Sequence, residues 1–111
     1  MKVLFLIDSL EGYGAEKSIV QIALHLEEVT PIFIHLYKGD KLKSSLEKKG
    51  IKVYSLELDA EYSFKEAVNS IIPIINKEKP EIIHSTLFRA DMVARKLKQV
   101  FPHIFLVGSF V

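Results

Sequence analysis

Two short stretches carry residue types that could do chemistry. The first is EGYGAEKSI, Glu11 to Ile19, which follows the apolar run VLFLI and opens a helix-like pattern, SIVQIALHL. Gly12 and Gly14 allow positive φ and a close approach of backbone to ligand. A helix starting there directs its unsatisfied N–H groups and the positive end of its dipole at whatever sits before it, which suits a phosphate or diphosphate. The turn alone fits equally well with glycines that only make a tight strand-to-helix connection. The second stretch is His84-Ser85-Thr86, with Arg89 and Asp91 just beyond. A histidine at a strand end could hold a hydroxyl or phosphate, or act as a base. It could equally be satisfied by a neighbouring backbone group. Asp91, near a helix start, reads as a capping residue favoured by the dipole.

Several familiar chemistries fail on spacing. A G-x-G-x-x-G dinucleotide fingerprint would need glycine where Lys17 stands, and Asp40 lies beyond the expected separation of about 20 residues for a ribose-binding acid. No G-K-[ST] follows to make a Walker loop. A phospho-receiver domain would need a second acid at the third strand end and a lysine on the fifth strand. Asp8 is present, but the third strand ends Tyr54-Ser55-Leu56 and the fifth has no lysine. His25 falls on the polar side of a helix, His35 lies within a strand, and His103 follows Pro102 in a turn. The acids are scattered with no carboxylate pair, and the histidines lack metal-ligand spacing, so no metal is expected. There is no cysteine, which excludes disulfides, zinc-thiolate sites and thiol catalysis.

The gross composition is that of one ordinary globular domain. The chain has 111 residues, 49% apolar and 26% charged, with a formal net charge of +1. No electrostatic case exists for nucleic acid or an anionic membrane. The VLFLI run is too short to span a bilayer and lacks the flanks of a signal peptide, so a cytoplasmic location is the default.

The elements that would position these residues alternate in period. Lys2–Ile7 is a continuous apolar strand, buried on both faces. Glu16–Glu28 is a helix striped by Ile19, Ile22, Ala23 and Leu26. Pro31–Tyr37 is a second strand. Lys41–Lys49 is a short helix ended by Gly50, and Ile51–Leu56 is a third strand. Ser63 with Glu66 makes a capping box for a helix presenting Phe64, Val68, Ile71 and Ile75, with a kink or break expected at Pro73. Glu81–Ser85 is a fourth strand, Ala90, Val93, Ala94 and Leu97 stripe a fourth helix, and His103–Gly108 is a fifth strand. Strict alternation predicts right-handed crossovers and a doubly wound, Rossmann-like parallel sheet of about five strands in a three-layer α/β/α sandwich. Ligands in such sheets bind beyond the carboxyl ends of the strands, which picks out Asp8–Glu16, Tyr37–Asp40, Ser55–Tyr62, His84–Asp91 and Gly108–Val111. No helix follows the fifth strand to cover the sheet, so residues 1–111 read as one domain of a longer protein. The alternative is a small protein whose bare edge is covered by a partner.

With those elements in order, the sequence resembles the N-terminal half of retaining glycosyltransferases of the GT-B fold, family 4 (glycosyl transferases group 1). KVLFLIDSLEGYGAEKSIVQIALHL resembles the family's opening strand, Gly-Gly-Ala-Glu turn and helix. PEIIHSTLFRADMVARKLK is similar to its D-I-V-H-x-H strand end and following helix, and HIFLVGSF to its closing strand. The resemblance spans essentially the whole chain. It implies the acceptor-side domain of an enzyme that moves a sugar from a nucleotide-sugar donor to a saccharide, lipid or other acceptor, as in polysaccharide biosynthesis. It implies that the turn Gly12, Tyr13, Gly14, Ala15 and Glu16 meets the donor's diphosphate, and that His84, Thr86 and Arg89 meet the acceptor. The nucleotide would be held by a C-terminal domain bearing an E-x7-E motif, which these residues do not include, so the chain alone is not expected to turn over a sugar nucleotide. No cofactor or metal is implied, since the nucleotide sugar is a substrate. The resemblance leaves room for peripheral membrane association of the whole protein.

Two departures stand out. Tyr13 replaces the first of the paired glycines, and Thr86 replaces the second histidine of H-x-H. Many members also place a histidine after the fifth strand, where Phe110-Val111 stands here, so no catalytic residue is assigned. The rival reading is a stand-alone, non-catalytic nucleotide- or protein-binding Rossmann-like module. A dehydrogenase-like cofactor domain is a third, opposed by Lys17.

Overall fold

A computed structural model describes residues 1–12, 14–59 and 64–109. The elements run β1 (Lys2–Ile7), α1 (Gly14–His25), β2 (Thr30–Tyr37), α2 (Lys43–Lys48), β3 (Lys52–Leu58), α3 (Phe64–Glu78), β4 (Ile82–Thr86), α4 (Phe88–Val100) and β5 (Phe105–Ser109). The strands form a parallel sheet in the order β3-β2-β1-β4-β5. This is the doubly wound, Rossmann-like arrangement expected from the alternation of elements. The chain winds outward from β1 in both directions, so the topological switch point lies between β1 and β4, where Ile7 pairs with Thr86.

Each face of the sheet has its own core. Val3, Phe5, Ile7 and Phe33 pack with Ile19, Val20 and Ala23 of α1 and Leu46 of α2. Leu4, Leu6, Ile32, Ile34 and Ile83 pack with α3 and α4 on the other face. Alternate residues of β1 enter opposite cores, which is why the strand is apolar throughout. Phe5 and Phe33 stack at 5.0 Å between ring centroids, and Phe33 is fully buried. Burying such a ring contributes roughly 2–3 kcal/mol. The α4 stripe of Ala90, Val93, Ala94 and Leu97 is buried as the spacing predicts.

Four details differ from the sequence expectations. The buried stripe of α1 is Glu16, Ile19, Val20 and Ala23, while Ile22 and Leu26 are exposed. On the α1 face, Phe105 and Val107 of β5 are exposed, and the flank of α1 beside them meets solvent together with Met1. Second, α3 continues unbroken through Pro73. Pro73 and Asn69 are both exposed, so water can satisfy the carbonyl that the proline leaves without a donor. Third, β3 runs two residues further than expected and carries a register shift against β2 between His35 and Tyr37. Last, Asp91 does not cap α4, which has no cap from its own N-terminal residue; the residue directly after β1 does that work, as described below. Ser63 of the expected capping box, Tyr13, Phe110 and Val111 lie outside the described residues.

Candidate functional site at the switch point

The carboxyl ends of β1 and β4 define a crevice at the switch point. Asp8, directly after β1, turns its carboxylate to α4, where Oδ1 accepts the Ala90 N–H at 2.7 Å. A residue 82 positions away in sequence thus satisfies one of the orphan donors of a helix start. Burial pushes the Asp8 carboxyl above its ordinary value. N–H bonds from Ala90 and Arg89 and the Arg89 charge pull it back, and the Glu16 charge pushes it up again.

Glu16 is 2% exposed and folds back under the turn that precedes α1. Its carboxylate accepts a hydrogen bond from the Ser9 hydroxyl and another from the Gly12 N–H at 3.1 Å. Gly12 sits at φ +102°, a conformation that side-chain-bearing residues rarely adopt. Gly14 opens α1 and is exposed, and a Cβ built on it meets nothing within 4 Å beyond its chain neighbours. The turn is also stitched to the loop after β2. The Tyr37 N–H donates to Asp8 O, the Leu10 N–H to Gly39 O and the Leu42 N–H to Leu10 O, at 2.8, 2.8 and 3.0 Å.

The β4 side holds the rest. Thr86 ends the strand, and its hydroxyl oxygen is buried with no hydrogen-bond partner among the described residues. Leu87 follows at φ +77° and ψ 163°, a conformation costly for a branched side chain. Phe88 and Arg89 then open α4. Phe88 is 72% exposed, and the Arg89 guanidinium lies 5.7 Å from the centre of the Tyr37 ring.

Some expected residues lie elsewhere. His84 is the middle residue of β4, not its end. Its ring lies 5.5 Å from that of Phe5 and lines an apolar groove of about 310 Å³ along the exposed flank of α1. Burial holds the His84 imidazole below the ordinary 6.5, so it is neutral at pH 7. The topology puts Gly12, Gly14, Ala15, Glu16, Thr86 and Arg89 after or at the carboxyl ends of β1 and β4, while His84 lines the groove along α1. Asp91 accepts from the Ser85 hydroxyl at 2.6 Å and pairs with Arg95. His25 bonds the Gln21 carbonyl of its own helix. His35 is fully buried, bonded to the Tyr37 carbonyl and the Ser55 hydroxyl, as a structural histidine should be.

Asp8, Tyr37 and Phe88 fall in the strand-end stretches picked out by the sequence but were given no individual role there. Asp8 and Tyr37 stand at strand ends, which is a usable signal, and Phe88 is a large apolar residue off the buried stripe of its helix. A cavity of about 620 Å³ opens at the opposite end of the sheet, lined by Ile75, Lys79, Phe101 and His103. It lies at the amino ends of the strands, where open α/β sheets do not place their ligands.

No protein-family model and no curated protein matches the sequence. Among solved structures, the chain is similar to the UDP-GlcNAc 2-epimerase of Neisseria meningitidis bound to UDP-GlcNAc, with a TM-score of 0.65 over 97% of this chain at 17% identity. The chain spans 31% of that enzyme's length. The likeness establishes a shared fold, the Rossmann-like α/β domain.

Proposed function

We propose that the chain is the acceptor-side domain of a sugar-nucleotide-dependent glycosyltransferase, completed in the whole protein by a second domain. The observation that carries this reading is the open start of α1 at the switch point, with Gly12 held at positive φ by the buried Glu16 carboxylate. In donor cleavage a nucleoside diphosphate leaves, and stabilising its charge is the main catalytic requirement. N–H groups of the first turn of α1, with the helix dipole behind them, meet that need without rearrangement. Glu16 donates nothing to the phosphate in this reading; its carboxylate, turned inward, fixes the turn. Asp8 acts on α4, holding Arg89 at the crevice rim. Closure of a second domain over this wall would exclude water, which competes as acceptor.

A second reading, sugar-nucleotide epimerisation, is favoured by the nature of the structural neighbour. A third, a stand-alone nucleotide-binding module, needs no second domain. Incubating the whole protein with UDP- and GDP-sugars and candidate acceptors separates the three. Acceptor-dependent release of nucleoside diphosphate supports transfer. Interconversion of sugar nucleotides without an acceptor replaces it with epimerisation. Tight nucleotide binding by residues 1–111 alone, with no turnover by the whole protein, replaces it with the binding module.

A further inference from the structure

We propose that the cavity at the amino ends of the strands is a second binding site, for a free α-amino acid with a large apolar side chain. At about 620 Å³ it falls within the size range of small-molecule sites. Its floor belongs to the core. Ile75 and Ile104 are 3% and 1% exposed, and Pro80, also buried, lines the cavity with them. The half-buried Phe101 adds an aromatic wall, with His103 edge-on to it at 6.3 Å between ring centroids. The walls are held in place by the protein itself. The Lys98 ammonium donates to the carbonyls of Pro102 and Ile104 at 2.7 and 2.6 Å. The Phe105 N–H donates to the Glu81 carbonyl at 3.0 Å, which ties the loop before β4 to the loop before β5. A preformed chamber keeps the ordering cost of binding low.

The lining charges specify the ligand class. Lys79 and Glu81 both border the cavity, on either side of the rigid Pro80, and among the described residues neither forms an ion pair. One unspent cation and one unspent anion around an apolar floor match a zwitterion. Its carboxylate would meet Lys79, its ammonium Glu81, and its side chain Ile75, Phe101 and Ile104. A nucleoside diphosphate matches poorly, because its several negative charges would meet one lysine beside a carboxylate. Open α/β sheets place their reactants beyond the carboxyl ends of the strands, so an occupant here takes no part in chemistry at the crevice. The proposal does not rest on the transferase reading.

Titrating the isotope-labelled chain with L-phenylalanine, L-tryptophan and L-leucine, while following backbone amide resonances, tests the proposal. Saturable shifts are expected at Ile75, Phe101, His103 and Ile104, with little change at Gly12, Gly14 and Ala90. N-acetylphenylalanine lacks the ammonium and phenethylamine lacks the carboxylate. Each should bind about tenfold or more weaker than L-phenylalanine, the scale of one charge-assisted hydrogen bond. Lys79→Met and Glu81→Gln should each weaken L-phenylalanine binding by a similar factor. Both variants should keep the parent melting temperature, because both side chains are exposed. No saturable shift at these residues at millimolar ligand overturns the proposal. So does equal binding of L-phenylalanine and its two singly charged analogues, or unchanged affinity in both variants, since the cavity would then be an apolar cleft that reads no charge. Failure here leaves the crevice reading intact, because amino-acid binding reports on this cavity alone.

Discussion

Replacing Glu78 with glutamine should destabilise the protein at neutral pH and not at pH 2. Glu78 ends α3 beneath the amino ends of the strands, and its side chain is 4% exposed. The Tyr54 hydroxyl donates to it at 2.5 Å, and Lys2 and Lys52 each donate at 3.2 Å. The Tyr54 bond, opposed by burial and aided by the two lysines, lowers the carboxyl from 4.5 to about 2. That difference corresponds to about 3 kcal/mol of preference for the charged form in the folded state. The lysines are 42% and 61% exposed, so their share is screened by solvent and salt, which leaves about 2 kcal/mol. Because the folded pKa is depressed, this stability is present above pH 4.5 and lost as pH falls through about 2. Urea unfolding at 25 °C should therefore put Glu78→Gln about 2 kcal/mol below the parent at pH 7, with the gap closing between pH 5 and 2. Equal midpoints at pH 7, or a gap that does not change with pH, would refute the reasoning.

Further outcomes follow from the crevice. Gly12→Ala forces a side chain to φ +102° and should cost roughly 1–2 kcal/mol in thermal or urea unfolding. Gly14→Val places its side chain in open space and should leave the melting temperature close to the parent's, while weakening nucleoside diphosphate binding by about tenfold or more, read by calorimetry. Asp8 has a raised folded pKa, so its contribution to stability is fully present below 3.8 and is lost as pH rises through the folded value. Asp8→Asn, whose amide oxygen still accepts the Ala90 N–H, should therefore be more stable than the parent at pH 7, with the advantage shrinking towards pH 3 in parallel unfolding curves. The same variant should bind nucleoside diphosphate more tightly at pH 7 and with a weaker pH dependence, because one negative charge beside the crevice is gone.

The fold was legible because the pattern and the topology agree. Alternating apolar runs and striped helices force crossovers, and crossovers force a parallel sheet with a switch point beside β1. The α1 stripe was misjudged at Ile22 and Leu26 because periodicity assumes that every apolar residue is covered, and these two instead line an open groove with Ile82, His84 and Val107. The glycine turn was visible as a turn, but the roles within it were not. Only the structure separates Gly12, which sits at positive φ, from Gly14, which does not, and shows the Glu16 carboxylate bonded to the turn through Ser9 and Gly12. The Asp8–Ala90 bond joins residues 82 apart, so no local pattern could announce it. His84 was placed at a strand end by its triplet with Ser85 and Thr86, but the β1 register sets it opposite Phe5, on the sheet face.

Titrating the isotope-labelled chain with UDP and a UDP-sugar while following backbone amide resonances tests the central claim most directly. The account predicts shifts concentrated at Gly12, Gly14, Ala15, Arg89 and Ala90, around the open start of α1 and the rim of α4. Weak, saturable binding is enough, because the proposed reading gives this chain only one wall of the site. Shifts at Ile75, Lys79 and His103, around the cavity at the other end of the sheet, or none at millimolar ligand, would contradict it.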